Sequence, residues 1–118
     1  MTMRPIETYE RFAIVAVPFP FTDSRRAKRR PALILSSAGS FGGKIGHSVM
    51  AMITSAKNEP WPLDVEIRDL PSAGLEAKSM VRMKLFTLDH RLIDRILGSL
   101  SETDRARVTG SLRSLLEF

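Results

Sequence analysis

The chain has 118 residues and no cysteine, which excludes disulfide scaffolds, thiolate zinc sites and cysteine nucleophiles and fits a reducing compartment. Aromatic residues are sparse at 7%, with one tryptophan and one tyrosine. Hydrophobic runs are short, as at residues 13–17, and none approaches the length of a membrane span. The first residues, Met1-Thr2-Met3-Arg4-Pro5-Ile6-Glu7, show no apolar secretory region, so the expected location is the cytoplasm. A mass of 13.2 kDa leaves room for one domain at residues 1–118, not for a dinucleotide-binding unit with a substrate domain, nor for a (β/α)₈ barrel. Hydrophobic and charged fractions of 43% and 26% are those of a folded globule rather than a disordered chain.

What the chain does have is positive charge. Eighteen Lys and Arg stand against 13 Asp and Glu, a net of +5. Residues 1–54 carry 8 basic and 3 acidic side chains, whereas residues 55–78 carry 3 and 5. The excess is therefore local, and it peaks at Arg25-Arg26-Ala27-Lys28-Arg29-Arg30. Such a patch attracts phosphates, anionic surfaces or acidic proteins.

Residues 12–17 form an apolar, partly β-branched run that predicts a buried strand, ended by Pro18 and Pro20. Residues 21–30 read as an exposed cationic loop, and Ala32-Leu33-Ile34-Leu35, begun by Pro31, as a second strand. Residues 38–46 hold four of the seven glycines and read as a flexible connection. A third strand is expected at residues 48–54, and a half-exposed one where Leu63-Asp64-Val65-Glu66-Ile67 alternates. Residues 79–83 and 85–88 give one or two more. Leu92, Ile93, Ile96, Leu97 and Leu100 recur at helical spacing after Asp89, a suitable cap, which predicts a helix weakened or ended by Gly98. Ser101-Glu102-Thr103-Asp104 then opens a last helix, with Val108, Leu112, Leu115 and Leu116 on one face. About five strands and one or two helices imply a mainly β fold: a small barrel or rolled sheet with a docked helix.

Several residues have two readings. Arginines of the basic loop offer bidentate donors to phosphate oxygens, or simply solvate a turn. Arg30 differs, because Pro31 fixes the backbone beside it at the start of a strand. Gly39-Ser40-Phe41-Gly42-Gly43-Lys44-Ile45 fails as a phosphate loop: the first glycine is misplaced, and Ile45 stands where a magnesium-binding hydroxyl is required. Thr54-Ser55 can donate to a phosphate or satisfy its own turn. His47 and His90 have no metal-ligand spacing, while Asp23 and Asp89 read as turn or cap residues. Trp61, between Pro60 and Pro62, can stack on an unpaired base or pack onto the core.

Taken in order, these segments resemble the PemK/MazF family of toxin endoribonucleases. The residues that carry the likeness are Ile14-Val15-Ala16-Val17-Pro18-Phe19-Pro20-Phe21-Thr22-Asp23, then Arg29-Arg30-Pro31-Ala32-Leu33-Ile34-Leu35-Ser36, then Ile53-Thr54-Ser55. Ala73-Gly74-Leu75, Ser79-Met80-Val81-Arg82 and Leu85-Phe86-Thr87-Leu88-Asp89 continue it, and it spans about residues 10–116. The resemblance implies an SH3-like barrel with a C-terminal helix, of the CcdB/Kid/MazF type, usually a homodimer. It implies cleavage of single-stranded RNA at short sequences without metal or other cofactor, leaving 2′,3′-cyclic phosphate and 5′-hydroxyl ends, and neutralisation by an acidic antitoxin.

Arg30 matches the family's catalytic arginine and Thr54 its phosphate-binding threonine, while Ser55 and Arg82 fall on matching site positions. Arg25, Arg26, Lys28, Arg29, Lys84 and Trp61 make the expected RNA-binding set. Lys84 stands where some relatives carry an aspartate, which leaves Asp23 as the candidate base. Two other readings share the barrel: a relative that binds RNA or antitoxin without cleaving, and a toxin that poisons gyrase.

Overall fold

The computed structural model describes residues 7–19 and 28–118. Six strands form one antiparallel sheet, curled into a half-barrel: β1 (Ala13–Phe19), β2 (Lys28–Ile34), β3 (His47–Ser55), β4 (Val65–Glu66), β5 (Ser79–Asp89) and β6 (Arg95–Ser99). Their order across the sheet is β4-β5-β3-β2-β1-β6. The chain is thus mainly β, as its runs of short apolar segments imply. Helix α3 (Glu102–Leu116) closes one face; Ser101 caps it by accepting the Asp104 N–H at 3.2 Å.

Both faces of the sheet bury apolar side chains, because alternate residues point to opposite sides. Ile14, Leu33, Ala51, Ile53 and Val81 meet Val108 and Leu112 of α3. Val15, Val17, Ala32, Ile34, Met50 and Leu88 form a second cluster on the other face, with Tyr9 and Ile93. Asp104 is 1% exposed yet fully satisfied. Its carboxylate accepts the backbone N–H groups of Arg68 and Asp69 and the Arg107 guanidinium, clamping the exit of β4 to α3.

Several elements depart from the sequence reading. The expected helix through residues 92–100 is a 3-10 turn at His90–Leu92, capped by Asp89, followed by strand β6. β6 supplies the hydrogen-bonding partner that β1 needs over Ala13–Ala16, so a nonlocal ladder overrides a local period. β1 runs through Pro18 to Phe19 rather than ending at the proline; past Ala16 it pairs with β2 alone among the described residues, so the donor that Pro18 lacks is not needed by β6.

β2 starts at Lys28, inside the expected loop. The half-exposed strand at residues 63–67 shrinks to β4, because Leu63 takes a positive φ of 67° and turns the chain. Residues 79–89 are one strand with a bulge. The glycine-rich connection folds into a π-helical turn (Ala38–Gly42) and α1 (Gly43–Ile45) instead of a loop. On α3, Leu115 and Leu116 are exposed rather than part of the buried face.

Candidate active site

β2 pairs with β3 only where Ala32, Leu33 and Ile34 face Met52, Ala51 and Met50. Pairing stops at Pro31, which has no N–H to offer. Were the same register continued, Arg30 would lie opposite Thr54; instead the two strands part there and leave a cleft of about 150 Å³. Arg30 shares its strand face with Ala32 and Ile34, and Thr54 shares its face with Met50 and Met52, so both side chains emerge on one side of the sheet.

The third wall comes from β5. Its register against β3 slips between Ala51 and Met52, which leaves Met83 and Lys84 without partners on β3. The bulge lets Arg82 and Lys84 line the same cleft. Phe19 and Met52 supply its apolar surface, and the Arg30 guanidinium sits 5.5 Å from the Phe19 ring centroid. Trp61 reaches in from the β3–β4 connection.

The three cations of the cleft are not equivalent. Among the described residues no carboxylate pairs with Arg30 or Lys84. Arg82 is committed: it donates to both oxygens of Asp64, at 3.3 and 3.0 Å, and to the Glu59 carbonyl at 2.7 Å. Its guanidinium also lies 4.7 Å from the Trp61 ring centroid. Thr54 Oγ1 accepts a 2.6 Å hydrogen bond from Asn58 Nδ2, so its own O–H remains a donor for the cleft.

Of the residues singled out in the sequence, the fold gathers Arg30, Thr54, Trp61, Arg82 and Lys84 around one space. Ser55 is exposed on the opposite strand face, its Oγ accepting the Lys57 N–H at 3.2 Å, and does not line the cleft. Arg29 has the opposite parity to Arg30, and Lys28 lies further out on the exposed end of β2. Asp23, Arg25 and Arg26 lie outside the described residues.

His90 and His47 sit at the other end of β3. His90 is buried between Ser48 Oγ at 2.7 Å and the Glu7 carbonyl at 2.6 Å, while His47 faces Asp89 at 3.9 Å. The Arg91 hydrogen bonds hold the Asp89 carboxyl well below the usual carboxylate range. Sequence reasoning missed Asp64 and Asn58; Asp64 looked like one outward acid of an alternating strand, and nothing local tied it to Arg82, 18 residues on.

The curled antiparallel sheet, the C-terminal helix and a cationic cleft where two strands part define a small barrel-like protein of mainly β structure. Residues 10–116 match the family described as the PemK-like, MazF-like toxin of type II toxin–antitoxin systems, and the chain belongs to that family. Its toxins are generally endoribonucleases.

Among solved structures, the fold is shared with the MazF of Deinococcus radiodurans at 24% identity and a TM-score of 0.73, over 95% of this chain and 99% of that one. It is shared with an endoribonuclease from a mycobacterial species at 14% identity and a TM-score of 0.74, over 98% and 97% of the two chains. MazF in a MazE–MazF complex from D. radiodurans aligns at 24% identity and a TM-score of 0.70, over 93% of this chain and 96% of that one. No curated protein sequence matches the chain. Among the described residues, no helix is long and apolar enough to cross a membrane.

Proposed function

We propose that this protein is the toxin of a toxin–antitoxin pair and a sequence-specific endoribonuclease that cleaves single-stranded RNA to 2′,3′-cyclic phosphate and 5′-hydroxyl ends without a metal ion. The observation that carries this reading is the meeting of Arg30 and Thr54 across the gap where β2 and β3 part, with Lys84 on the third wall. In the reaction the RNA 2′-oxygen loses its proton and bonds to phosphorus, while the bond to the 5′-oxygen breaks and that oxygen gains a proton. Negative charge builds on the non-bridging oxygens, and fixed donors placed there lower the barrier. Arg30 offers a permanently charged planar fork, Lys84 a second cation and Thr54 a neutral donor. Lys28, Arg29 and the basic residues Arg25 and Arg26 would guide the strand inward.

The 2′-hydroxyl proton needs an acceptor. Asp64 is the one carboxylate beside the cleft among the described residues that binds a lining side chain, and its oxygens are taken by Arg82 and the Trp61 N–H. Asp23 is the proposed base. A slow or cleavage-dead relative that still binds RNA or antitoxin is the second reading, favoured by Lys84 and by this committed carboxylate. The D. radiodurans MazF complexes and a mycobacterial endoribonuclease solved with its cognate antitoxin support an antitoxin partner here, expected to be acidic and to cover the cationic cleft. A homodimer in the cytoplasm completes the proposal.

The test is incubation of the purified protein with a long single-stranded RNA in EDTA, mapping fragment ends, with Arg30→Ala alongside. Discrete fragments with cyclic-phosphate and 5′-hydroxyl ends, lost in the variant, are expected. Intact RNA that nevertheless binds would select the non-cleaving reading, and full activity in Arg30→Ala would remove the cleft from the mechanism.

A further inference from the structure

Trp61 is the only tryptophan of the chain and is 45% exposed. It is held from several directions. Its backbone N–H donates to Asp64 Oδ2 at 2.8 Å, and its carbonyl accepts the Asp64 N–H at 3.2 Å. The Arg82 guanidinium covers the ring at 4.7 Å from the centroid while the same group is forked onto Asp64 and tied to the Glu59 carbonyl. Side-chain exposures of 11% for Arg82 and 3% for Asp64 show that this ion pair is withdrawn from solvent.

A guanidinium whose charge is neutralised by Asp64 and whose Nε and Nη2 donors are engaged is poorly placed to stabilise a phosphate. What it does do is fix an aromatic ring, leaving the remaining ring surface open to the cleft that Arg30 and Lys84 make cationic. A backbone-binding cation set beside a rigid aromatic surface is the combination that single-stranded nucleic acids fit, since every base has a flat π-face to stack. We propose that Trp61 is a base-stacking surface for one unpaired nucleotide next to the phosphate at Arg30 and Thr54, with Asp64 as the residue that positions it through Arg82. The proposal rests on the single-stranded RNA reading of the cleft. Stacking reads the area of a base rather than its hydrogen-bonding edge, so this subsite favours purines over pyrimidines without requiring one base.

The sole tryptophan makes the test direct. A 2′-O-methyl RNA strand, which has no attacking 2′-hydroxyl, is titrated while Trp61 emission and the anisotropy of a label on the strand are both followed. Saturable quenching is expected, and an abasic site at one position should remove the quench and weaken binding by about 5- to 150-fold. Trp61→Phe should restore most of the affinity that Trp61→Ala loses. Asp64→Asn keeps an acceptor for the Trp61 N–H but not the ion pair, and is expected to raise KM for cleavage with little change in kcat.

Binding seen by anisotropy with unchanged emission and no sensitive abasic position would overturn the stacking proposal while leaving the RNA reading intact. Absence of both binding and cleavage would overturn both. Quenching by an acidic antitoxin segment but not by any RNA would assign the surface to a protein partner and reject the proposal.

Discussion

At the residue scale, charge alone does not define the site. Arg30, Arg82 and Lys84 all line the cleft, yet Arg82 is spent on Asp64 and Glu59 while Arg30 stands beside Phe19 with no carboxylate partner among the described residues. If Arg30 works through its planar fork, Arg30→Lys keeps the charge and still loses about 10-fold or more in kcat/KM, and Arg30→Ala loses about 10²- to 10³-fold. Single-turnover cleavage of a short RNA measures both. Thr54 makes a complementary case, because Asn58 occupies a lone pair of its hydroxyl and leaves the proton to donate. Thr54→Val preserves shape and strand propensity, so an unchanged melting curve with roughly 10-fold slower cleavage is expected, and Thr54→Ser should recover most of the rate.

At the scale of elements, the cleft depends on where strands stop pairing and on what braces the sheet edge. β6 is braced by the short helix α2 (Leu70–Ala73), which ends at Gly74 with a φ of 72°. A Cβ placed on Gly98 would run into the backbone of Ser72 and Ala73. Gly98→Ala is therefore expected to cost about 1–3 kcal/mol by pushing α2 off β6, read as a lower urea midpoint, with cleavage unchanged in the folded fraction. The apolar β-branched runs that became β1, β2 and β3 were legible in the sequence because burial on both faces leaves few polar residues in a strand, and the Ser101 cap because it acts within one turn.

β6 was not legible as a strand. Its apolar residues happen to match a helical period, but Ile93 packs into one cluster while Leu97 and Leu100 pack into or against the other, and Ile96 is exposed. Only the unpaired edge of β1, some 80 residues earlier in the chain, decides its conformation. Arg30 and Thr54 could be named from motif order. The Asp64–Arg82–Trp61 assembly could not, because it is made by the bulge in β5 and the turn at Leu63, neither of which has a local signature.

At the scale of the whole molecule, the two ends of β3 carry opposite kinds of polar group. At the far end a buried histidine and phenol interlock: Tyr9 packs edge-on against His90 and donates to Glu7 at 2.7 Å, and burial, with Glu7, pushes its phenol up to about 12. The unfolded chain releases that proton near pH 10, so folding stability should fall as pH rises from 10 toward 12. The loss is about 1–2 kcal/mol between pH 9 and 11.5, and Tyr9→Phe, weaker at neutral pH by about 1 kcal/mol, should lack that slope in urea titrations.

The cleft end is open and cationic, and its behaviour should report phosphates rather than protons. With Arg30 and Lys84 as the cleft cations that pair with no carboxylate among the described residues, two to three phosphates neutralised per strand give a salt slope of about −1.4 to −2.1. Affinity for a non-cleavable single strand should then fall roughly 7- to 20-fold between 50 and 200 mM salt. Lys84→Gln should flatten the slope by about 0.7, whereas Trp61→Ala should lower affinity at every salt concentration and leave the slope unchanged, since a stacked base releases no counterion. Parallel behaviour of the two variants would mean that the aromatic wall and the cationic floor do not act as separate devices, and that the cleft binds by charge alone.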